Sequence, residues 1–142
     1  MRRNWHRKNN TKLNNATVTI DGITFQSIKE GQRYSELKLL EKAGNISNLE
    51  LQKKYELIPA RYETVETGEY YKVGAKKGQP KLKSVCVEQA VSYIADFVYE
   101  ENGQTVVEDV KGYRDPSSAP YAKFVLKRKM MLWIHGIKVK EV

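Results

Sequence analysis

The chain of 142 residues is long enough for one domain with its own hydrophobic core, and we expect no second enzyme domain. Its 25 Lys and Arg residues outnumber 17 Asp and Glu residues, so the formal net charge is +8 and a polyanionic partner is favoured. Nucleic acid is preferred over an acidic membrane, because the sequence has no long apolar run and no basic amphipathic helix with a strongly apolar face.

The first 15 residues form a basic and polar segment. Residues 1–15 contain five Lys and Arg residues, several Asn and no acid. Such a segment is too polar to fold alone, so we expect a flexible basic arm. Its composition favours phosphate contact and a solubilising tail equally. Residues 16–25 then alternate around Asp21-Gly22, which predicts an N-terminal β-hairpin.

A helix is predicted to begin after Ser27 and to end at Gly44. Ser27 and Glu30 have the spacing of a capping box, in which two side chains satisfy exposed N–H groups at a helix N-terminus. At about 100° per residue, Tyr34 and Leu37 share the direction of Glu30, so Glu30 heads the core-facing side. Two interpretations of Glu30 remain open, ordinary helix capping and a catalytic carboxylate.

Residues 49–57 alternate in a way that predicts a strand, which Pro59 closes. One side of this strand is expected to carry Leu49, Leu51, Lys53, Tyr55 and Leu57. Gln52 on the other side either contacts a site or faces solvent, and solvent is the expectation. Glu36 lies at the margin of the core-facing side of the predicted helix. Whether Glu36 joins a site also stays open.

The segment of residues 61–84 is interrupted by three glycines and a proline, and it contains five lysines. We expect a basic insertion with a mobile loop, or a β-ribbon in which residues 69–73 pair with residues 81–85. In the second case Lys76 and Lys77 would project toward DNA.

Metal sites built from cysteine or histidine are not expected. Cys86 is the only cysteine, which excludes an internal disulfide, and His6 and His135 are the only histidines. The lone cysteine and the lack of a signal-peptide pattern favour a cytoplasmic protein.

Residues 93–112 predict two strands joined at Asn102-Gly103, a pair that suits a type I′ turn because both turn positions need positive φ. Val98 then faces Val107, and Asp96 faces Asp109. Alternation places six side chains on one face of the hairpin: Ile94, Asp96, Val98, Val107, Asp109 and Lys111. Glu108 falls on the other face, and a bulge would exchange it for Asp109.

Opposed carboxylates on an apolar face need compensation. Mg²⁺ is the simplest candidate, because it prefers oxygen ligands and usually keeps several waters. Lys111 beside Asp96 and Asp109 is suited to hold a water or a phosphate. The hairpin therefore predicts a metal site.

Residues 121–133 predict a second helix, and residues 137–142 predict a last strand. The expected core contacts of the helix are Phe124, Val125, Met131 and Leu132. Its basic residues are Lys123, Lys127, Arg128 and Lys129. Basic helix residues usually form a solvated face, but beside a metal site one or two of them would hold the phosphate next to a cleaved bond. No glycine-rich phosphate loop occurs, so no nucleotide cofactor is expected.

The order helix, three strands, helix, strand, with Asp96 before a hairpin and Asp109-Val110-Lys111 after it, resembles the PD-(D/E)XK nuclease superfamily. Further motifs are similar to those of small phage-encoded endonucleases related to Holliday junction resolvases: Phe25-x-Ser27-x-x-Glu30, Arg33-Tyr34-x-Glu36-Leu37, Leu51-Gln52, Tyr93-Ile94-Ala95-Asp96-Phe97, Val106-Val107-Glu108-Asp109-Val110-Lys111-Gly112, Lys127-Arg128-Lys129 and His135-Gly136-Ile137. The resemblance covers residues 17–142. It departs from the superfamily name in having Ala95 rather than proline before Asp96.

The resemblance implies an α/β fold with a restriction-endonuclease-like core, in which helices flank a mixed central sheet in the order αβββαβ. Residues 16–142 would form a single nuclease domain. Asp96, Asp109 and the Val110 carbonyl would bind Mg²⁺ or Mn²⁺, and Lys111 would orient or deprotonate the attacking water. Glu30 would complete the acidic cluster, directly or through water.

The implied activity is hydrolysis of phosphodiester bonds in branched DNA, such as Holliday junctions in phage recombination or replication. A homodimer in the bacterial host cytoplasm would perform it. The alternatives are a less selective duplex nuclease or nickase, and a non-catalytic DNA-binding protein with the same fold. DNA contacts are expected from five basic residues: Lys76, Lys77, Lys123, Lys127 and Arg128.

Overall fold

A computed structural model describes residues 16–112 and 114–142, and the predicted basic arm lies outside these ranges. The described elements, in chain order, are β1 (Val18–Ile20), β2 (Ile23–Phe25), α1 (Ile28–Lys42), β3 (Ser47–Ile58), β4 (Arg61–Tyr70), β5 (Pro80–Glu88), β6 (Val91–Glu101), β7 (Gln104–Asp109), α2 (Ala119–His135) and β8 (Lys140–Glu141).

A mixed sheet with the strand order β3-β6-β7-β8 forms the centre of the fold. β6 runs antiparallel to β3 and β7, and β8 runs parallel to β7. One core cluster contains Tyr34 and Leu37 of α1, and the other contains Phe124 and Met131 of α2. The predicted α/β class with a mixed central sheet flanked by helices is therefore confirmed. β8 is shorter than the predicted strand of residues 137–142.

The start of α1 is fixed by its cap and by the N-terminal hairpin. Ser27 Oγ accepts a hydrogen bond from the Glu30 N–H at 3.2 Å, and a Glu30 carboxylate oxygen accepts one from the Gln26 N–H at 3.3 Å. The predicted β1–β2 hairpin packs on the first turns of the helix. At Gly31 an added Cβ would lie 2.5 Å from Val18 Cγ1, so only glycine allows this close approach. Glu30 is thereby fixed in the first turn of α1.

The hairpin β6–β7 has the register that the sequence predicts. Val98 pairs with Val107, and Glu101 pairs with Gln104. The turn residues Asn102 and Gly103 have φ values of 52° and 75°, as a type I′ turn requires. No bulge interrupts this pairing, and the ladder ends at the pair Phe97–Glu108.

The regular alternation predicted for β3 and for the start of β6 is wrong. Leu51 packs in the α1 cluster, whereas Leu57 packs in the α2 cluster, although simple alternation puts both on one side. Between them Gln52 has a φ of 52°, and this left-handed residue reverses the faces of the strand. On β6, Ala95 packs in the α2 cluster and Phe97 packs in the α1 cluster, although simple alternation puts both on one side. Ile94 is consequently exposed rather than part of the core.

Replacing Gln52 with valine should destabilise the protein by about 2 kcal/mol, because a β-branched side chain strains a backbone with positive φ. Lys54→Val is the matched control, since Lys54 is an exposed residue of the same strand with no positive φ. Urea denaturation of both variants measures the difference. Equal stabilities would show that the left-handed conformation at Gln52 carries no strain.

The segment between β3 and β6, the first and second strands of the central sheet in chain order, forms a β-ribbon, one of its two predicted forms. β4 and β5 pair antiparallel, with Glu66 opposite Leu82 and Tyr70 opposite Pro80. The ribbon is longer than the predicted pairing of residues 69–73 with residues 81–85, and its register differs. β4 and β5 form a separate two-stranded sheet.

The second helix, α2, is two residues longer at each end than its predicted range of 121–133. Phe124 and Met131 are buried and Val125 is partly buried, as expected. The predicted core contact of Leu132 is wrong, because Leu132 follows Met131 by about 100° around the helix and is exposed. Gly136 ends the helix with a φ of 66°.

Candidate active site

Asp96 lies where the ladder between β6 and β7 ends. Its Oδ2 accepts a hydrogen bond from the Val110 N–H at 2.8 Å, so the carboxylate takes the place of the next backbone pair. The other oxygen, Oδ1, accepts a hydrogen bond from Gln52 Nε2 at 3.1 Å. Gln52 therefore contacts the site, and the expectation that it only faces solvent is wrong. The left-handed backbone at Gln52 brings its side chain to Asp96.

The backbone of Val110 faces the same side as the Asp96 carboxylate. Asp109 O accepts a hydrogen bond from the Val142 N–H at 3.0 Å, and the Lys111 N–H donates to Val142 O at 2.9 Å. Successive backbone groups of a strand point to opposite edges, so both the N–H and the carbonyl of Val110 point toward β6. The Val110 carbonyl is thus on the edge where the predicted metal ligand is needed.

Asp109 is only 4% exposed, and it contacts one side chain from β6 and one from the segment just after β7. Tyr93 Oη donates to Asp109 Oδ2 at 2.8 Å, and Lys111 Nζ forms an ion pair with Asp109 Oδ1. Lys111 Nζ also lies 4.0 Å from the centroid of the Phe124 ring, a cation–π distance. The ammonium group is therefore fixed between a carboxylate and an aromatic face.

Burial makes the charged form of Asp96 unfavourable. It raises the pKa of Asp96 from 3.8 to about 6, and the neighbouring carboxylates of Asp109 and Glu30 add to the rise. Hydrogen bonds from Val110 and Gln52 oppose it. Burial and Asp109 also raise the pKa of Tyr93, so its hydroxyl stays a donor at neutral pH. A further positive charge at this site would stabilise ionised Asp96.

The two glutamates of α1 that remained candidates have different places. Glu30 is held by Ser27 Oγ at 3.0 Å and by the Gln26 N–H, and it affects the pKa of Asp96 electrostatically. Across residues 16–112 and 114–142, no three His, Cys, Asp or Glu side chains are close enough to hold a metal ion. The predicted place of Glu30 in the acidic cluster, directly or through water, stays a prediction. Glu36 forms an exposed ion pair with Arg33 and lies outside the site.

Glu108 lies on the opposite face of the hairpin, as predicted, and it is fully buried. Arg33 binds it with two donors, Nε to Oε2 at 2.8 Å and Nη2 to Oε1 at 2.7 Å. Tyr99 Oη and Lys140 Nζ donate to Oε1 at 2.7 and 3.0 Å. Burial acts to raise the pKa of Glu108, but the hydrogen bonds from these three residues outweigh it and hold the pKa below its usual value. Glu108 is therefore a structural anion between β7, α1 and β8.

Two of the five predicted DNA contacts are engaged within the fold. Lys127 Nζ donates to Ser92 O at 2.6 Å, and Arg128 forms an ion pair with Glu141. Both contacts join α2 to the sheet. Lys123 is exposed on α2, and Lys76 and Lys77 lie at the tip of the β4–β5 ribbon. DNA contact by these residues stays a prediction.

Residues 10–138 match a family model described as "Protein of unknown function (DUF1064)". This match spans most of the chain. The chain belongs to the DUF1064 family. Searches of curated proteins and of solved structures found no match. Neither helix in the described part of this DUF1064 chain is long and apolar enough to cross a membrane.

Three residues at the site of this DUF1064 member carry contacts that the sequence interpretation missed. They are Gln52, Tyr93 and Phe124. Tyr93 and Asp96 are three residues apart, so regular alternation would put them on opposite faces of β6. The reversal of the strand faces near Asp96 brings both side chains toward Asp109. The one sequence feature that favoured a contact by Gln52 was its position on β3, the strand that pairs with β6. No local signal linked Phe124 to Lys111.

In metal-free buffer, wild type should lose stability relative to Asp96→Asn as the pH rises from about 4 to about 7. The folded-state pKa of about 6 exceeds the ordinary 3.8, so the folded protein binds this proton more tightly than the unfolded chain. The resulting stabilisation is present below about pH 4 and is lost as the pH rises through 6. We expect a relative loss of about 2–3 kcal/mol, measured by urea denaturation in EDTA. Parallel pH curves for the two proteins would contradict this.

Proposed function

We propose that this protein is a metal-dependent DNA endonuclease of the PD-(D/E)XK type, with a restriction-endonuclease-like core. The observation that carries the proposal is the convergence of Asp96, Asp109 and Lys111 where β6 and β7 separate. The core order α1, β3, β6, β7, α2, β8 supports it, because the ribbon is the only further element between these six in the described residues. The burial of Glu108 among its own cations leaves Asp109-Val110-Lys111 as the acid-x-lysine motif.

The oxygen atoms at this site fit a magnesium or manganese ion. Asp96 and Asp109 supply carboxylates, and the Val110 carbonyl points to the same edge. All are hard oxygen donors, and Mg²⁺ commonly takes only one or two carboxylates and keeps waters in its other positions. The raised pKa of Asp96 is consistent with a site that binds a cation. When bound, such an ion supplies Lewis-acid stabilisation of phosphoryl oxygens.

Side chains of the protein would position the attacking water and the two carboxylates. Lys111 Nζ, held over the Phe124 ring, would orient a water molecule or take a proton from it. Tyr93 fixes the Asp109 carboxylate through its hydroxyl, and Gln52 does the same for Asp96. These contacts keep the groups in place before substrate binds, which lowers the cost of reaching the reactive geometry.

The proposed substrate is DNA, because the net charge of +8 favours a polyanion. Preference for branched DNA follows from the resemblance to junction-resolving endonucleases. The homodimer also stays a prediction from that resemblance, and static light scattering of the purified protein tests it. A monomer at the concentrations used for cleavage would contradict the dimer.

A second candidate function, DNA binding without catalysis, has one observation in its favour. All four carboxylate oxygens of Asp96 and Asp109 have protein partners, namely Gln52, Val110, Tyr93 and Lys111. Because every one of these oxygens already has a protein partner, the cluster also suits a structural role. The two functions differ in one measurable respect, the appearance of nicked DNA when divalent metal is added.

The test is conversion of supercoiled plasmid to nicked and linear forms with Mg²⁺, Mn²⁺ or EDTA. We expect cleavage with either metal and none with EDTA. Glu101→Gln is a matched control, because it removes an exposed carboxylate from the same hairpin without touching the site, and it should cleave at the wild-type rate. DNA binding with no cleavage under any of these metals would favour the second function.

Selectivity is tested by comparing a labelled four-way junction with its component duplexes. Faster cleavage of the junction supports the structure-selective enzyme. Equal rates would identify the less selective duplex nuclease or nickase.

A further inference from the structure

The β4–β5 ribbon is separate from the central sheet. Its two strands hydrogen-bond to each other and to no other strand in the described ranges. Every residue of β4 is exposed. An isolated two-stranded ribbon is marginally stable in water, because it has no second layer to bury its side chains. A ribbon of this length is therefore better explained by a surface that it contacts than by the core of its own domain.

The tip of the ribbon, residues 70–83, carries charge of one sign. It contains five lysines and no acidic residue. Lys76 and Lys81 place their Nζ atoms 5.7 and 5.9 Å from the centre of the Tyr71 ring. Lys81 also forms an ion pair with Glu69, so the tip cations other than Lys81 are the ones considered for phosphate contact. Val73 is 81% exposed between these charged residues. The tip thus combines a positive surface with an exposed apolar side chain.

Backbone hydrogen bonds give the tip a defined shape. Gly78 N donates to Tyr71 O at 2.9 Å, and Tyr71 N donates to Gln79 O at 3.0 Å. Lys77 N donates to Gly74 O at 3.1 Å, which closes a turn inside this larger loop. Gly74 and Gly78 both have a φ of 83°, a conformation that side chains disfavour. The lysines are therefore presented on an ordered loop.

We propose that the ribbon tip enters a groove of duplex DNA and binds its phosphates, outside the cleavage site. The major groove of B-DNA admits a two-stranded ribbon. Lys72, Lys76 and Lys77 would contact the phosphates, and Val73 would contact the groove interior. This role rests on the proposed function, because the ribbon would hold the DNA that the separate Asp96–Asp109 site cleaves.

The first test is removal of two tip charges by Lys76→Ala/Lys77→Ala. Binding of a fluorescent duplex is measured by anisotropy in EDTA at several salt concentrations. We expect about tenfold weaker binding, and a slope of log Kd against log salt smaller by about 2, since each lost phosphate contact removes about 0.9. The matched control is Lys38→Ala/Lys42→Ala, which removes two exposed charges from the far end of α1. Equal losses in both double variants would overturn the proposal, because net charge alone would then explain them.

Groove entry is tested with Val73→Asp and with double-stranded RNA. The A-form major groove is too deep and narrow for side chains to enter, so wild type should bind RNA duplex more weakly than DNA duplex of the same sequence. Val73→Asp should weaken DNA binding more than RNA binding. Equal affinity of wild type for both duplexes would overturn groove entry.

The outcomes separate this inference from the proposed nuclease. Loss of binding in the tip variant without cleavage by wild type supports the ribbon and contradicts the nuclease. Cleavage by wild type together with unchanged binding and cleavage by the tip variant supports the nuclease and overturns the ribbon. Absence of duplex binding by wild type also overturns the ribbon.

Discussion

Asp109→Asn should leave the protein folded and lower Mg²⁺-dependent DNA cleavage at least about a thousandfold. Asparagine has nearly the same shape as aspartate, and its carbonyl oxygen can still accept the Tyr93 hydrogen bond. It removes the negative charge that pairs with Lys111 and that would bind the divalent ion. Single-turnover cleavage of a labelled duplex, with urea denaturation as the measure of folding, tests both halves of this expectation.

Lys111→Ala provides a second variant at the same site with a different expected defect. It should also abolish cleavage, but it leaves both carboxylates free to bind Mn²⁺, which a calorimetric titration detects. Glu101→Gln again serves as the active control. Substantial cleavage by folded Asp109→Asn or Lys111→Ala protein would remove the basis of the catalytic assignment.

Arg33→Ala should destabilise the protein by about 3–5 kcal/mol, because it leaves Glu108 charged in a fully buried position. Arg33 makes a two-point contact with Glu108, and the two remaining donors, Tyr99 and Lys140, cannot replace the lost charge-assisted pair. The free energy of unfolding in urea measures the loss.

Arg61→Ala is the matched control for this experiment. The Arg61 side chain is 75% exposed and lies 4.0 Å from Glu63, whereas the Arg33 side chain is 20% exposed. Exposed ion pairs contribute little, so Arg61→Ala should change stability by less than about 1 kcal/mol. Similar small losses in both variants would mean that the Glu108 network is not a major source of stability.

The part of the fold that the sequence predicts well is local. Asn102-Gly103 fixes the β6–β7 register because turn chemistry acts on adjacent residues, and Ser27 fixes the start of α1 for the same reason. The capping box fixes Glu30 in the first turn of α1, and the β6–β7 register brings Asp96 and Asp109 near one another. The side on which Glu108 lies also followed from this register.

The failures concern contacts between distant parts of the chain. The left-handed backbone at Gln52 reverses the faces of β3. The residue type does not predict this conformation, because glutamine rarely adopts positive φ. The partners of Glu108 come from α1 and β8, far apart in sequence. The ribbon register was missed because Gly68 interrupts the pattern from which it would be derived.

Single-turnover cleavage of an end-labelled four-way junction by wild-type protein is the decisive experiment for the proposed nuclease activity. We expect cut strands in Mg²⁺ at pH 8, no cut strands after addition of EDTA, and restored cleavage when excess Mg²⁺ is added. A folded, DNA-binding protein that leaves both the junction and its component duplexes intact in Mg²⁺ and in Mn²⁺ would contradict it.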